Sequence, residues 1–320
     1  MQDCFKRDID YLRVSLTSNC NLRCQYCMPA QGVQQTNPML TQKELIHLVE
    51  LISSTGIKKI RLTGGEPLLY PNIENLIVKF KHLPGIEKVV LTSNGMLLST
   101  KAKLLAQSGI DGINLSLDCL NPQLFKEITR GGDIKRVLWG LKEAIAQDIP
   151  LKINSVIMQG INEQEIIPLI ELANKYKINL RFIELMPMNV ARRFKAVSED
   201  VLKTIIMTHY GKMREVGILE GPAHYYEVDN LDIKIGFISA LSHKFCASCN
   251  RLRLTSTGIL KPCLHYSKGA NLASLLKNNV TDEQLLTIIK DIIYHKPQRH
   301  HLEDESFPQK EDKSMSLIGG

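Results

Sequence analysis

The chain has 320 residues, 44% hydrophobic and 23% charged, enough for one large domain or a barrel with an appendage. Its formal charge of +7 is not gathered into basic blocks, which argues against nucleic acid as a partner. No long apolar run suggests a membrane span, residues 1–7 lack a signal-peptide core, and eight cysteines are too few for a secreted disulfide scaffold, so a cytoplasmic chain with clustered, metal-ligating thiols is expected.

From residue 11 to about 186, short β-branched runs alternate with longer amphipathic stretches. The pattern predicts strands over 11–17, 58–63, 88–92, 112–117, 151–157 and 180–185. It predicts helices over 42–54, 73–82, 100–108, 122–128, 134–147 and 163–177. Serial β–α units mean a parallel sheet, and six of them suit an incomplete β/α barrel over residues 1–187. The pattern then changes to a helix over 197–210, a β-meander over 225–238 turning at Asp229-Asn230, and helices over 271–277 and 281–295. Residues 188–302 are expected as a second domain, and 303–320 as a polar, mobile tail ending in Gly319-Gly320. Trp139 reads as helix packing, and Cys4 and Cys119 as ordinary thiols.

The strands carry a second message. Arg13, Ser15 and Thr17 share one face, as do Lys59, Arg61 and Thr63, then Asn114, Ser116 and Asp118, then Lys152 and Asn154. With helices over the apolar face, this polar face must look into the barrel, where buried cations need anionic partners.

Cys20, Cys24 and Cys27 follow the first strand, at the end where β/α barrels carry their sites. Three thiolates can hold three corners of a cubane iron–sulfur cluster and leave one iron open to a ligand. A zinc knuckle uses similar spacings. The second strand ends in Thr63-Gly64-Gly65-Glu66-Pro67, where paired glycines let backbone approach a ligand. A second group, Cys246, Cys249 and Cys263, again has three cysteines; His243 or His265 could complete a zinc site. Arg251 and Arg253 alternate just after it, and two guanidiniums on one face can hold phosphate or a nucleobase bidentately.

Taken together, these segments resemble the GTP 3',8-cyclase family, the radical S-adenosylmethionine enzymes that begin molybdenum cofactor synthesis, over essentially the whole chain. The first cysteine group alone would give only the superfamily; the second group, Asn250-Arg251-Leu252-Arg253 and the glycine pair at 319–320 narrow it. The resemblance implies a [4Fe–4S] cluster on Cys20, Cys24 and Cys27, with S-adenosylmethionine against Tyr26, Gly65, Ser116 and Met186. It implies a second [4Fe–4S] cluster on Cys246, Cys249 and Cys263, facing the guanine of GTP. Arg13, Arg61, Thr92, Lys152, Arg251, Leu252 and Arg253 would bind the nucleotide, with Lys59 and Arg181 as further candidates. Arg13, Arg251, Arg253, Gly319 and Gly320 would form the catalytic group, the tail reaching into the site.

The implied reaction starts with reductive cleavage of S-adenosylmethionine to a 5'-deoxyadenosyl radical. That radical takes the ribose 3' hydrogen of GTP, and the new carbon radical attacks guanine C8, giving 3',8-cyclo-7,8-dihydro-GTP. The resemblance also implies that the region after residue 187 covers the barrel opening. It further implies a flavodoxin or ferredoxin as electron donor, hand-over of the product to cyclic pyranopterin monophosphate synthase, and room for a homodimer. The alternatives are another radical S-adenosylmethionine enzyme with an auxiliary cluster, such as a peptide modifier, and a zinc-dependent nucleic-acid-binding protein.

Overall fold

The alternating units build a single sheet in the computed structural model, which describes residues 1–218, 221–304 and 306–319. The first half runs β1 (Tyr11–Ser15), α1 (Gln42–Ser53), β2 (Lys59–Thr63), α2 (Ile73–Lys81), β3 (Lys88–Ser93), α3 (Leu98–Gln107) and β4 (Ile113–Ser116). It continues through α4 (Pro122–Thr129), α5 (Ile134–Ala146), β5 (Leu151–Val156), α6 (Ile166–Lys175) and β6 (Asn179–Ile183). The second half holds α7 (Glu199–Tyr210), β7 (Met213–Ile218), β8 (His224–Val228), β9 (Lys234–Ile238), β10 (Arg251–Leu254), β11 (Ile259–Lys261) and β12 (Ala270–Asn271). Three helices follow, α8 (Leu272–Lys277), α9 (Asp282–Tyr294) and α10 (Met315–Ile318).

Among the described residues the strand order is β12-β11-β10-β1-β2-β3-β4-β5-β6-β9-β8-β7. Strands β10, β1 to β6 and β9 are parallel neighbours, and antiparallel strands flank them at both edges. The two edges do not join, so the expected open barrel is observed. The second half does more than cover an opening. It adds a parallel strand to each side of the first six, satisfying backbone groups that edge strands would leave unpaired. The main core runs across residue 187: Leu252 and Phe237 share one buried cluster with Leu12 and Ile60.

Local signals explain the elements. In α1 a capping box at Thr41 and Glu44 starts the helix, and Leu45, Leu48, Val49 and Ile52 form its buried stripe. In the strands Leu12, Val14, Ile60, Leu62, Leu115 and Ile153 are fully buried against the helices, leaving the alternate residues to face inward.

Three expectations need correcting, and strands β7, β10, β11 and β12 are not among those expected. The helix expected over 163–177 begins as a 3-10 turn at Glu163–Glu165 before α6. Strand β7 has no clear sequence pattern, because a register shift between Glu215 and Gly217 breaks its alternation. Trp139 is 57% exposed, its ring N–H donating to Glu143, and is not helix packing. The tail is not a free polar end: Glu311, Ser316 and Ile318 are buried, and Ile318 packs with Met188, Leu264 and Leu302. Gly320 lies outside the described residues. No helix among the described residues is long and apolar enough to cross a membrane.

Candidate active site

Strand register builds the centre of the site. Arg13 pairs with Arg253 on one side and Arg61 on the other, and Tyr11 pairs with Arg251 and Lys59. These side chains face a cavity of about 370 Å³, lined further round the sheet by Thr92, Asn114, Ser116, Asn154 and Arg181. Seven Arg and Lys residues line it against three carboxylates. Burial, then the neighbouring Arg253, holds the Arg13 guanidinium well below its usual range. Burial and Arg251 bring Arg253 down to about 10. At Tyr11 burial pushes the phenol up, but Arg61, Arg13 and Lys59 together outweigh it and bring it to about 7. Arg61 is fixed by donating to Tyr11 Oη, to Leu91 O at 3.2 Å and to Thr92 Oγ1 at 3.1 Å. So many buried cations side by side call for a polyanion.

Both cysteine groups open onto this cavity. In the first, Leu22 N–H donates to Cys20 Sγ at 3.4 Å and Asn94 Nδ2 reaches it at 3.7 Å. The loop is pinned by α4, since Arg23 N bonds Thr129 O at 3.0 Å and Arg130 donates to Arg23 O and Met28 O. Burial pushes the Cys20 thiol up to about 11 and the Cys27 thiol up to about 12. In the second group, burial also raises the Cys249 thiol, but Arg251 and Lys296 outweigh it and bring it to about 6.

Outside the second group, Arg7 donates to the main-chain carbonyls of Cys246, Lys296, Pro297 and Gln298. The buried Lys296 ammonium donates to Arg251 O and Pro262 O. All eight cysteines are free. Three thiols per group, on one loop in the first and on the segments before β10 and after β11 in the second, with N–H donors or cations beside them, fit an open-shelled iron–sulfur cluster. A mononuclear zinc site asks for ligands converging on one point, and among the described residues no three His, Cys, Asp or Glu side chains do so.

The Gly64-Gly65 turn serves packing as well as any ligand. A Cβ on Gly65 would lie 2.2 Å from Asn19 O and 2.6 Å from Ser18 O, so only glycine lets the second strand's loop meet the segment leading into the first cysteine group. Glu66 continues that brace: it is 1% exposed and accepts from Leu68 N at 3.1 Å, Ser93 Oγ at 2.8 Å and Asn94 N at 2.8 Å. Burial lifts its carboxyl to about 7. Asp118 accepts from Tyr26 Oη at 2.6 Å and from Val156 N at 2.9 Å, and burial lifts it to about 6.

Most residues singled out by sequence come together here. Tyr26, Gly65, Ser116, Met186, Arg13, Lys59, Arg61, Thr92, Arg181, Arg251, Arg253 and all six clustered cysteines line the one cavity. Gly319 reaches its edge, its carbonyl accepting from Arg253. Two do not fit as expected. The Leu252 side chain is fully buried in the apolar core, because alternation in β10 turns it away from its arginine neighbours. Lys152 shares the inward face but pairs with Asn114 and Asn179, one layer below Asn154, and is not among the described residues lining the cavity. Sequence reasoning missed Arg7 and Lys296, which sit in no recognisable pattern and matter only through distant contacts.

Residues 14–173 match the Radical SAM superfamily and residues 178–302 match Molybdenum Cofactor Synthesis C. The chain is 43% identical over 325 residues to a GTP 3',8-cyclase of Clostridium perfringens (strain SM101 / Type A), covering 100% of both chains. It is 40% identical over 327 residues to a GTP 3',8-cyclase of Syntrophomonas wolfei, again covering 100% of both. The chain belongs to the GTP 3',8-cyclase family. Like other members of the GTP 3',8-cyclase family it is a radical S-adenosylmethionine enzyme, acting at the first step of molybdenum cofactor synthesis. Streptococcus suis SuiB bound to S-adenosylmethionine shares its fold, with a TM-score of 0.63 at 17% identity, over 93% of this chain and 77% of that one. SuiB bound to the precursor peptide SuiA gives the same TM-score at 18% identity, over 91% and 66%. At such identity the likeness speaks for the fold alone.

Proposed function

We propose that the cavity holds GTP between two [4Fe–4S] clusters, one on Cys20, Cys24 and Cys27 and the other on Cys246, Cys249 and Cys263, and that this placement yields 3',8-cyclo-7,8-dihydro-GTP. One observation carries the reading: the row Arg253-Arg13-Arg61 across three parallel strands, open to both cysteine groups. GTP brings about four negative charges, which Arg and Lys side chains in a low-dielectric site hold strongly. S-adenosylmethionine bound at a reduced first cluster would supply the radical chemistry.

The chain's own residues do the rest. Tyr26, Gly65, Ser116 and Met186 border the place for S-adenosylmethionine, and Asp118 orients the Tyr26 hydroxyl. Arg13, Arg61, Arg251 and Arg253, joined by Lys59, Thr92 and Arg181, hold the nucleotide. Lys296 and Arg7 hold the second cysteine loop in shape. Gly319 holds Arg253 through its carbonyl, and Gly320 extends the same tail. Leu252 supports the nucleotide only through its strand, and Lys152 acts from the layer below. An external one-electron carrier of the flavodoxin or ferredoxin type supplies reducing equivalents, cyclic pyranopterin monophosphate synthase takes the product, and a homodimer leaves the site intact.

Anaerobic iron and sulfide quantitation, joined to a GTP product assay on reduced protein with S-adenosylmethionine, tests this. The expected result is about eight irons per chain with conversion of GTP to the cyclised product. About four irons, or 5'-deoxyadenosine release with GTP unchanged, would sink it.

A further inference from the structure

Lys261 and Glu311 form an ion pair with side chains only 2% and 4% exposed. Lys261 closes β11, two residues before Cys263, and Glu311 stands where the tail turns toward the cavity. The other Glu311 oxygen accepts from the N–H groups of Asp312 at 3.1 Å and Lys313 at 3.0 Å, and Glu311 N donates to His265 O at 2.9 Å. Asn189 Nδ2 holds Asp312 O at 2.6 Å. From this point Met315 and Ser316 line the cavity together with Cys27, and the Gly319 carbonyl accepts from Arg253.

We propose that Lys261 and Glu311 are positioning residues: their buried ion pair seats the tail, so that Ser316 lines the cavity and Gly319 reaches Arg253. Removing one partner leaves the other charge buried and unpaired. The strand cannot yield easily, because β11 is paired with β10 and β12. Past Glu311 the tail can, because residues 312–319 are bound by a few side-chain contacts and one short helix. Lifting the tail returns the stranded charge to water at the least loss of packing.

The inference rests on the proposed site only for what the tail serves. Hydrogen exchange on the full, cluster-loaded chain needs no turnover and stands or falls separately. In Glu311→Gln and in Lys261→Met, amides of residues 312–319 should exchange about 100-fold faster, while those of β1 to β6 keep their rates. Unchanged tail exchange overturns the proposal, and so does equal acceleration throughout the sheet, which would make the pair a prop of the whole fold. The double variant Lys261→Met, Glu311→Gln leaves no lone buried charge, so its tail should exchange no faster than in either single variant; additive acceleration overturns the pairing.

Discussion

Gly319→Ala probes the seated tail most sharply. The residue has φ of +72°, where a Cβ costs about 1–2 kcal/mol. That Cβ would also lie 2.8 Å from Ser15 Cβ and 2.9 Å from Thr63 Oγ1, both on strands inside the sheet that cannot retreat far. Overpacking of this kind costs a further ~1–3 kcal/mol. Together about 2–5 kcal/mol shifts the docked-to-lifted ratio of the tail by roughly 30-fold to 5000-fold. The expected outcome is loss of GTP cyclisation with both clusters and S-adenosylmethionine binding kept. Single-turnover product analysis, with hydrogen exchange of residues 312–319, measures it. Ser15→Gly combined with Gly319→Ala removes the nearer clash but not the backbone strain, so it should restore part of the docking. Wild-type turnover and tail protection in Gly319→Ala would refute the reasoning, because a glycine in contact with two strands would then be dispensable.

Arg253→Ala should weaken GTP binding by about 100-fold, since it removes a buried guanidinium from the row, and change S-adenosylmethionine binding less than threefold; calorimetric titration of both ligands decides, and equal losses would move Arg253 out of the nucleotide site. The buried Glu66 carboxyl, lifted from 4.5 to about 7, binds its proton more tightly in the folded chain than in the unfolded one. Between about pH 4.5 and 7 the folded state therefore holds the extra proton, and stability falls as pH rises, by up to about 3 kcal/mol. Glu66→Gln should flatten this part of the urea-denaturation pH profile; an unaltered slope would show that the carboxyl titrates normally.

Much of the fold was legible because its signals are local. Apolar alternation against polar residues marks Leu12-Arg13-Val14 as a two-faced strand in any setting, whereas Leu252-Arg253-Leu254 sits in a four-residue strand too short to announce itself. Thr41 and Glu44 announce a helix start by themselves. Strand β7 escaped because a bulge breaks its period, and the tail escaped because one buried turn, Met315–Ile318, is too short to stand out from its polar surroundings. Arg7 and Lys296 escaped because they act on carbonyls far along the chain or across it, and no spacing encodes that.

The sequence by itself determined the chemistry: two three-cysteine groups, the Gly-Gly-Glu-Pro turn and the inward-facing cations, since donor type and alternation belong to the residues. The tertiary structure alone decided what those parts do together. Pairing of β10 with β1 sets Arg253 beside Arg13, 240 positions apart in the chain, and pairing of β9 with β6 carries the main core across both halves. Register between distant strands is fixed by which apolar faces can be buried at once, a property of the assembled sheet and not of any one segment.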